Sequence, residues 1–276
     1  MAGEAAKPKA GGVRPDFATL GGIVLALAGI VGGLILEGGE LADISQVTAA
    51  LIVLGGTFGA VLINTPLGTV LLGVKGLAHV FLERKASPEA LVEEIIGFAS
   101  KARKAGIVSL EESVNQASDP FLMKALTLAV DGTDLQELRK MMELEIVQAE
   151  HHGESAARVF EVAGGYSPTI GIIGAVMGLI QVMKNLSDID KVGHGIAVSF
   201  VATVYGVALS NIFLLPAANK MKARVQQEAH MREMMLEGVT GIVEGLNPKL
   251  IRSKLDAFIT QKKKPAGQAA PGEPGE

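Results

Sequence analysis

Long apolar runs divide this chain into membrane-like stretches and polar segments. Four windows are long enough to cross a hydrocarbon core of about 30 Å, and they lack the polar–apolar alternation of a surface helix. These windows are residues 18–36, 47–72 (most apolar over 47–63), 167–183 and 195–215. The pattern predicts an all-α polytopic membrane protein with four transmembrane helices, which we call spans 1 to 4.

The polar residues between spans 2 and 3 predict a folded helical domain and not a linker. Ser87 is suited to cap a helix that starts with Pro88 and stops at Gly106. SLEE at 109–112 and TDLQ at 133–136 have the spacing of a capping box, and the second precedes a long helix leading into span 3. The residues after span 4 predict two further helices.

Positive charges predict the orientation of the spans. The connection between spans 1 and 2 carries acids but no Lys or Arg, whereas basic residues flank the other ends of these spans. Cytoplasmic loops are enriched in Lys and Arg, so both termini and the central domain are expected in the cytoplasm. The basic residues are Lys7, Lys9 and Arg14 before span 1, Lys75, Arg84 and Lys85 after span 2, and Lys220, Lys222 and Arg224 after span 4.

Together these patterns predict six segments. They are a cytoplasmic N-terminal segment at 1–16, a first transmembrane hairpin at 17–64, a cytoplasmic helical domain at 65–160, a second hairpin at 161–217, C-terminal cytoplasmic helices at 218–264, and a disordered tail at 265–276.

Composition narrows the chemistry that the chain can perform. Hydrophobic residues make up 49% of the 276 residues, there is no cysteine, and the formal net charge is −4, which argues against nucleic acid as a partner. No phosphate-binding loop, nucleophile elbow or H-E-x-x-H motif occurs, so we expect neither an enzyme nor a metal or cofactor site. No ionisable residue lies well inside a span. A proton pathway would therefore need a charged group from another chain.

Small residues recur on one face of span 3 and one face of span 4. Such faces allow helices to approach closely, and hydroxyls can bond across the contact. Either the two spans pack on each other, or they present an additional face to a foreign helix. The residues are Gly171, Gly174 and Gly178 in span 3, and Gly195, Ser199, Thr203, Gly206 and Ser210 in span 4.

Two prolines lie at the cytoplasmic boundary of the second hairpin. Pro168 is placed at the start of span 3 and Pro216 at the end of span 4, and each removes a helical hydrogen bond. One interpretation is a paired hinge that couples membrane events to the cytoplasmic domain. The alternative is that Pro168 occupies the first position of an ordinary helix.

These residues resemble the MotA/PomA family of flagellar motor stator subunits. GYSPTIGIIGAVMGL and GIAVSFVATVYGVALSNIFLLP carry the resemblance, supported by LIVLGGTFGAVLI, SKARKAGIVSLEE and GLNPKLIRSKL, over about residues 17–260. The resemblance implies a homopentamer in the bacterial inner membrane around two copies of a single-span, peptidoglycan-binding partner of the MotB/PomB type. A membrane aspartate of that partner would carry the ion, and ion flow would turn the pentamer and drive the rotor.

The resemblance also assigns roles to individual residues. It gives Pro168 and Pro216 a part in coupling ion passage to movement. It places Arg103 and Glu111, with their neighbours Lys104 and Glu112, in contact with the C-terminal domain of a FliG-like rotor protein. Helix dipoles favour the same signs of charge at these positions, which is the alternative explanation. The residues expected to face the ion pathway or the partner are Gly171, Gly174, Ala175, Gly178, Ser199, Thr203 and Tyr205.

One position bears on the transported ion. Sodium-driven relatives have threonine where this chain has Ala175, while span 4 retains Thr203 after Ala202. A missing hydroxyl ligand favours protons. Three alternatives stay open: a sodium-driven PomA-type stator, an energising subunit of the ExbB/TolQ type, and a self-contained transporter or scaffold. The ExbB/TolQ group usually has three spans and an external N-terminus.

Overall fold

The computed structural model describes residues 13–84 and 87–260, and these fold almost entirely into helices. The tail predicted at 265–276 and residues 1–12 of the N-terminal segment lie outside the described residues. The helices are α1 (Phe17–Leu36), α2 (Val47–Asn64), α3 (Leu67–Phe81), α4 (Pro88–Ala105), α5 (Glu111–Val114), α6 (Pro120–Val130), α7 (Leu135–Lys184), α8 (Ile189–Ala208), α9 (Leu215–Val243) and α10 (Pro248–Thr260). Strands β1 (Val13–Pro15) and β2 (Leu82–Arg84) form a short antiparallel ribbon.

Four helical segments are long and apolar enough to cross a membrane, which confirms the all-α, four-span prediction. The predicted second window, 47–72, is wrong in its extent because the helix breaks inside it. Thr65 is extended at φ −134° and ψ 132°, and α3 begins after Pro66. Proline disfavours the helical conformation of the residue before it and has no N–H to continue the ladder.

Helix α7 runs without interruption for 50 residues and contains Pro168 in its interior. The interpretation of Pro168 as a first helical position is therefore wrong. The predicted boundary at 160/161 also falls inside this helix. The fourth span similarly continues from α8 through a π-helical turn, Leu209–Leu214, directly into α9.

Among the described residues, one compact unit comprises 87–149 and 226–260. Its described part packs α4, α6, α10 and the adjoining parts of α7 and α9 around a continuous apolar core. On its surface, the Arg252 guanidinium binds the Glu93 carboxylate through two bonds of 2.6 Å. This bond is the main reason that the pKa of Glu93 is lowered and that of Arg252 is raised. The fully buried side chains include Leu122, Leu126, Leu138, Met142, Met234, Met235, Ile251 and Leu255.

The second compact unit comprises residues 13–84 and 150–225 and contains the four spans. Its interior consists of small clusters, for example Ala49 and Val53 of α2 against Val201 and Ala202 of α8. Many large apolar side chains are exposed instead, and none of α1 is buried. Exposed apolar surface on this scale is expected of helices whose solvent is lipid.

Local capping signals were confirmed in part. The Ser87 hydroxyl accepts from the Ala90 N–H at 3.3 Å, and Gly106 ends α4 with φ 83°. The capping box predicted at SLEE is wrong, because Ser109 lies in the 3₁₀ turn Ile107–Leu110 and donates to the Gly106 carbonyl at 2.6 Å. In TDLQ, Asp134 and not the preceding threonine caps α7.

Candidate site at the contact of the third and fourth spans

Glycines bring α7 and α8 into close backbone contact. A methyl group added at Gly171 would lie 2.8 Å from the Ala202 carbonyl oxygen, and one at Gly178 would lie 2.7 Å from the Gly195 carbonyl oxygen. At Gly174 it would lie 2.8 Å from the Ala202 Cβ. Side chains of any size are excluded there. The small-residue face of span 3 therefore packs on span 4 of the same chain, and its contact with a partner chain stays a prediction.

Two serine hydroxyls bond across this contact. Ser167 on α7 donates to the Gly206 carbonyl at 2.9 Å, and Ser210 in the π-helical turn donates to the Gly164 carbonyl at 2.7 Å. Both serines are buried. In lipid a buried polar group has no water to bind, so such pairs hold neighbouring helices in one register.

The bond to Gly164 compensates for Pro168. In a helix the N–H of residue 168 would donate to the carbonyl of residue 164, but proline has no N–H. Gly164 is buried, so its carbonyl would otherwise lack a partner. The hydroxyl of Ser210 supplies the missing donor, which explains how α7 continues through a proline. From the sequence, Ser210 was expected to be a small residue whose hydroxyl could bond across the contact, but its acceptor at Gly164 was not predicted.

The same serine connects the two proline-containing segments. Ser210 lies in the π-helical turn. In this turn the Leu215 N–H donates to the Ser210 carbonyl, directly before Pro216. Pro216 is exposed and Pro168 is half-buried. π-Helical turns interrupt the regular ladder and occur frequently at functional sites. The two prolines thus lie on segments that one buried hydrogen bond joins.

The remaining residues predicted to face the pathway lie around this contact. Ala175 and Thr203 are half-buried. Ala175 is one helical turn beyond Gly171, whose neighbours across the contact include the backbone of Ala202 and Thr203. The hydroxyl of Thr203 donates to the Ser199 carbonyl at 3.2 Å, and that of Ser199 donates within its own helix. Tyr205 donates to the carbonyl of Ile44 at 2.5 Å, so its hydroxyl binds within the chain.

Away from this contact, span 3 presents an uncharged surface that is apolar except for Thr169 and Gln181. No Asp, Glu, Lys, Arg or His occurs between residues 162 and 183 or between 195 and 219. Within residues 13–84 and 87–260, no three His, Asp or Glu side chains converge into a potential metal site. The exposed apolar side chains of span 3, each between 48% and 68% accessible, are Ile172, Ile173, Val176, Met177, Leu179, Ile180 and Met183.

The charged residues predicted to contact a rotor are exposed on the other unit. Arg103 and Lys104 are in the last turn of α4, and Glu111 and Glu112 open α5. All four are exposed, and within the described residues none enters an ion pair. Lys101, by contrast, donates to Ser113 and ties the two helices together.

An ion cluster at the start of span 1 was not predicted. Asp16 caps α1 by accepting from the Thr19 N–H at 3.0 Å, and it binds Lys220 and, at 2.8 Å, Arg224. The bond from Lys220 is the main cause that lowers the pKa of Asp16 to about 2. An acidic residue directly before an apolar helix indicates a helix cap, so this role of Asp16 could have been predicted. Its bonds to Lys220 and Arg224 could not, because these partners lie over 200 residues further along the chain.

Comparisons with known proteins place the chain in a family. Residues 113–234 match the MotA/TolQ/ExbB proton channel family, and residues 20–106 match the motility protein A N-terminal family. Motility protein A of Bacillus subtilis is 35% identical over 90% of this chain and 92% of its own length. Chemotaxis protein PomA of Vibrio alginolyticus is 32% identical over 90% of this chain and 97% of its own length.

A solved structure agrees with this assignment. The flagellar MotAB stator complex from Bacillus subtilis contains a chain that superimposes with a TM-score of 0.84 at 35% identity, covering 90% of this chain and 97% of that one. The chain therefore belongs to the motility protein A family of MotA/TolQ/ExbB proton channel proteins.

Proposed function

We propose that this chain is the ion-conducting stator subunit of a bacterial flagellar motor, which couples proton flow across the inner membrane to rotation. The observation that carries the proposal is the uncharged apolar surface of span 3, beside a packed contact with two linked proline segments. A channel-family chain without an ionisable group in its spans needs that group from another chain.

The partner we propose is a MotB/PomB-like single-span subunit that binds peptidoglycan. The similar Bacillus subtilis structure is a flagellar MotAB stator complex, which supports the pairing. Five copies of the chain would surround two copies of the partner, whose membrane aspartate would lie against spans 3 and 4. The row of exposed Ile, Val, Leu and Met on span 3 is the surface that the partner helix would contact.

We place both termini and the helical unit in the cytoplasm, following the distribution of basic residues. The exposed charges of Arg103, Lys104, Glu111 and Glu112 would there meet a FliG-like rotor domain. Exposed charge pairs are individually weak and guide encounter over a distance, which suits a contact that forms and releases repeatedly.

Protons are the favoured ion because oxygen ligands are scarce at this site. Ala175 offers no hydroxyl oxygen at the position where sodium-driven relatives have threonine. Sodium requires oxygen atoms that replace its water shell, whereas a proton requires a titratable group and water. A sodium-driven stator is the second candidate, since the relatives include PomA.

Co-expression in a strain that lacks its own stator tests the function. The chain together with a MotB-like partner is expected to restore swimming, and neither chain alone is expected to do so. Restoration by this chain alone would overturn the two-subunit proposal. Replacing sodium with potassium at a constant proton gradient is expected to leave swimming speed unchanged. A halt would assign sodium as the ion.

A further inference from the structure

An apolar groove lies beside the first turns of span 1. It encloses about 470 Å³ between α1, the end of α3, Phe160 of α7 and residues 211–220. Apart from Thr19, Asn211 and Lys220, its lining residues are apolar or glycine. A groove of this composition would be poorly filled by water, because water needs polar partners.

One cation lines the groove, and a second lies next to that cation. Lys220 lines the groove, and both Lys220 and Arg224 bind the carboxylate of Asp16. One negative charge therefore opposes two positive charges, leaving a net charge of one positive. Lys220 also donates to the Thr19 hydroxyl and Arg224 to the Leu82 carbonyl, which leaves one N–H of Lys220 and further N–H groups of Arg224 for another acceptor.

The position of the cations along span 1 fixes the depth of the groove. Asp16 directly precedes the apolar helix Phe17–Leu36, so the cluster lies where that span meets the water interface. The groove extends from there along Gly22 to Ala26, towards the hydrocarbon core. Its occupant must hence have an anionic group next to an apolar chain.

The cation beside this apolar groove favours a lipid over a membrane helix of a second copy, because the spans of this chain carry no ionisable residue in their interior that could pair with Lys220. Basic pockets on the cytoplasmic side of membrane proteins bind anionic headgroups. We propose that this groove binds one anionic phospholipid, with an acyl chain along Gly22 and its phosphate on Lys220 and Arg224.

Only the assignment of this lipid to the cytoplasmic leaflet rests on the proposed orientation of the chain. The test is native mass spectrometry of the purified full-length chain, titrated with phosphatidylglycerol or with phosphatidylcholine of the same acyl composition. Swimming is not measured, so a failure of the stator proposal leaves this result unaffected.

Two glycines provide matched variants. A Cβ atom added at either Gly21 or Gly22 meets no atom within 4 Å, but only Gly22 lines the groove. Gly22→Leu is expected to weaken phosphatidylglycerol binding at least tenfold, and Gly21→Leu is expected to leave it unchanged. Unchanged binding by Gly22→Leu, or equal loss in both variants, would overturn the proposal. A change in oligomeric mass with lipid binding retained would instead indicate a second copy in the groove.

A charge variant tests headgroup recognition. Asp16→Asn keeps a good helix cap and removes the only carboxylate of the cluster. We expect it to bind phosphatidylglycerol about fivefold more tightly, since each basic charge near an anionic lipid contributes on that scale. Phosphatidylcholine binding should stay weaker than phosphatidylglycerol binding and unaffected. Weaker phosphatidylglycerol binding by this variant would show that the cluster acts only on structure, and equal affinity for both lipids would exclude headgroup recognition.

Discussion

Removing the hydroxyl of Ser210 tests whether this serine compensates for Pro168. The bond to the Gly164 carbonyl is 2.7 Å long, and both groups are buried. An unsatisfied buried group costs about 1–3 kcal/mol in water-soluble proteins, and hydrogen bonds between membrane helices contribute about 0.6 kcal/mol on average and 1.7 at most. We expect Ser210→Ala to lower the free energy of unfolding by about 1–2 kcal/mol, because no other donor replaces the hydroxyl.

The decisive measurement is a double-mutant cycle with Pro168→Ala. An alanine at position 168 restores the N–H that bonds the Gly164 carbonyl within the helix. In this background Ser210→Ala should be nearly neutral, so the coupling between the two sites should be about 1 kcal/mol. Unfolding by sodium dodecyl sulfate in mixed micelles gives the four free energies.

Ser199→Ala is the matched control. This serine is also buried, but its hydroxyl donates within its own helix to the Gly195 carbonyl. Its effect should add to that of Pro168→Ala within about 0.5 kcal/mol. If Ser210→Ala lowers the free energy of unfolding equally with proline and with alanine at position 168, then the serine does not replace the missing donor.

Three further predictions concern packing, charge and pH. Gly171→Ala should disrupt the contact of α7 with α8 and lower the midpoint of thermal unfolding in detergent. Gly165→Ala should not lower it, because a Cβ added at Gly165 meets no atom within 4 Å. Equal unfolding midpoints of the two variants would contradict this prediction. Arg103→Glu and Glu111→Arg should each slow rotation of tethered cells and leave unfolding unchanged, because both side chains are exposed; unchanged torque would remove them from the rotor contact. Lowering the pKa of Asp16 from 3.8 to about 2 stabilises the fold above pH 4 by about 2 kcal/mol, and this contribution should be lost as pH falls from about 4 towards 2. Asp16→Asn should flatten that part of the pH dependence of unfolding. An unaltered profile would show that the cluster does not cause the loss of stability at low pH.

The features predictable from sequence were those with local causes. A run of about 20 apolar residues has few alternatives to a membrane span, so the four spans emerged from hydropathy alone. Ser87 and Gly106 mark the ends of α4 through bonds within a few residues. The break at Pro66 is equally local, but a hydropathy window averages across it.

The features missed from sequence depend on distant partners. Pro168 has a local preference to end a helix, and only a hydroxyl 42 residues further along the chain reverses it. Asp16 is a recognisable cap, but its bonds to Lys220 and Arg224 join the two ends of the unit. Neither pairing follows from spacing, because the packing of α7 on α8 and of α1 near α9 is decided by tertiary structure.

The arrangement around Ser210 gives the proposed coupling a physical form. An ordinary helical bond depends only on its own helix, whereas the bond that replaces it at Pro168 depends on the register of α7 against α8. A hydrogen bond of 2.7 Å weakens steeply once its atoms separate by about 1 Å, so a small shift of the fourth span would break it. The π-helical turn that holds Ser210 ends beside Pro216, where the regular ladder is already interrupted. A movement of the fourth span would thus weaken α7 at one defined position. The stability of α7 around Pro168 therefore depends on the position of the fourth span.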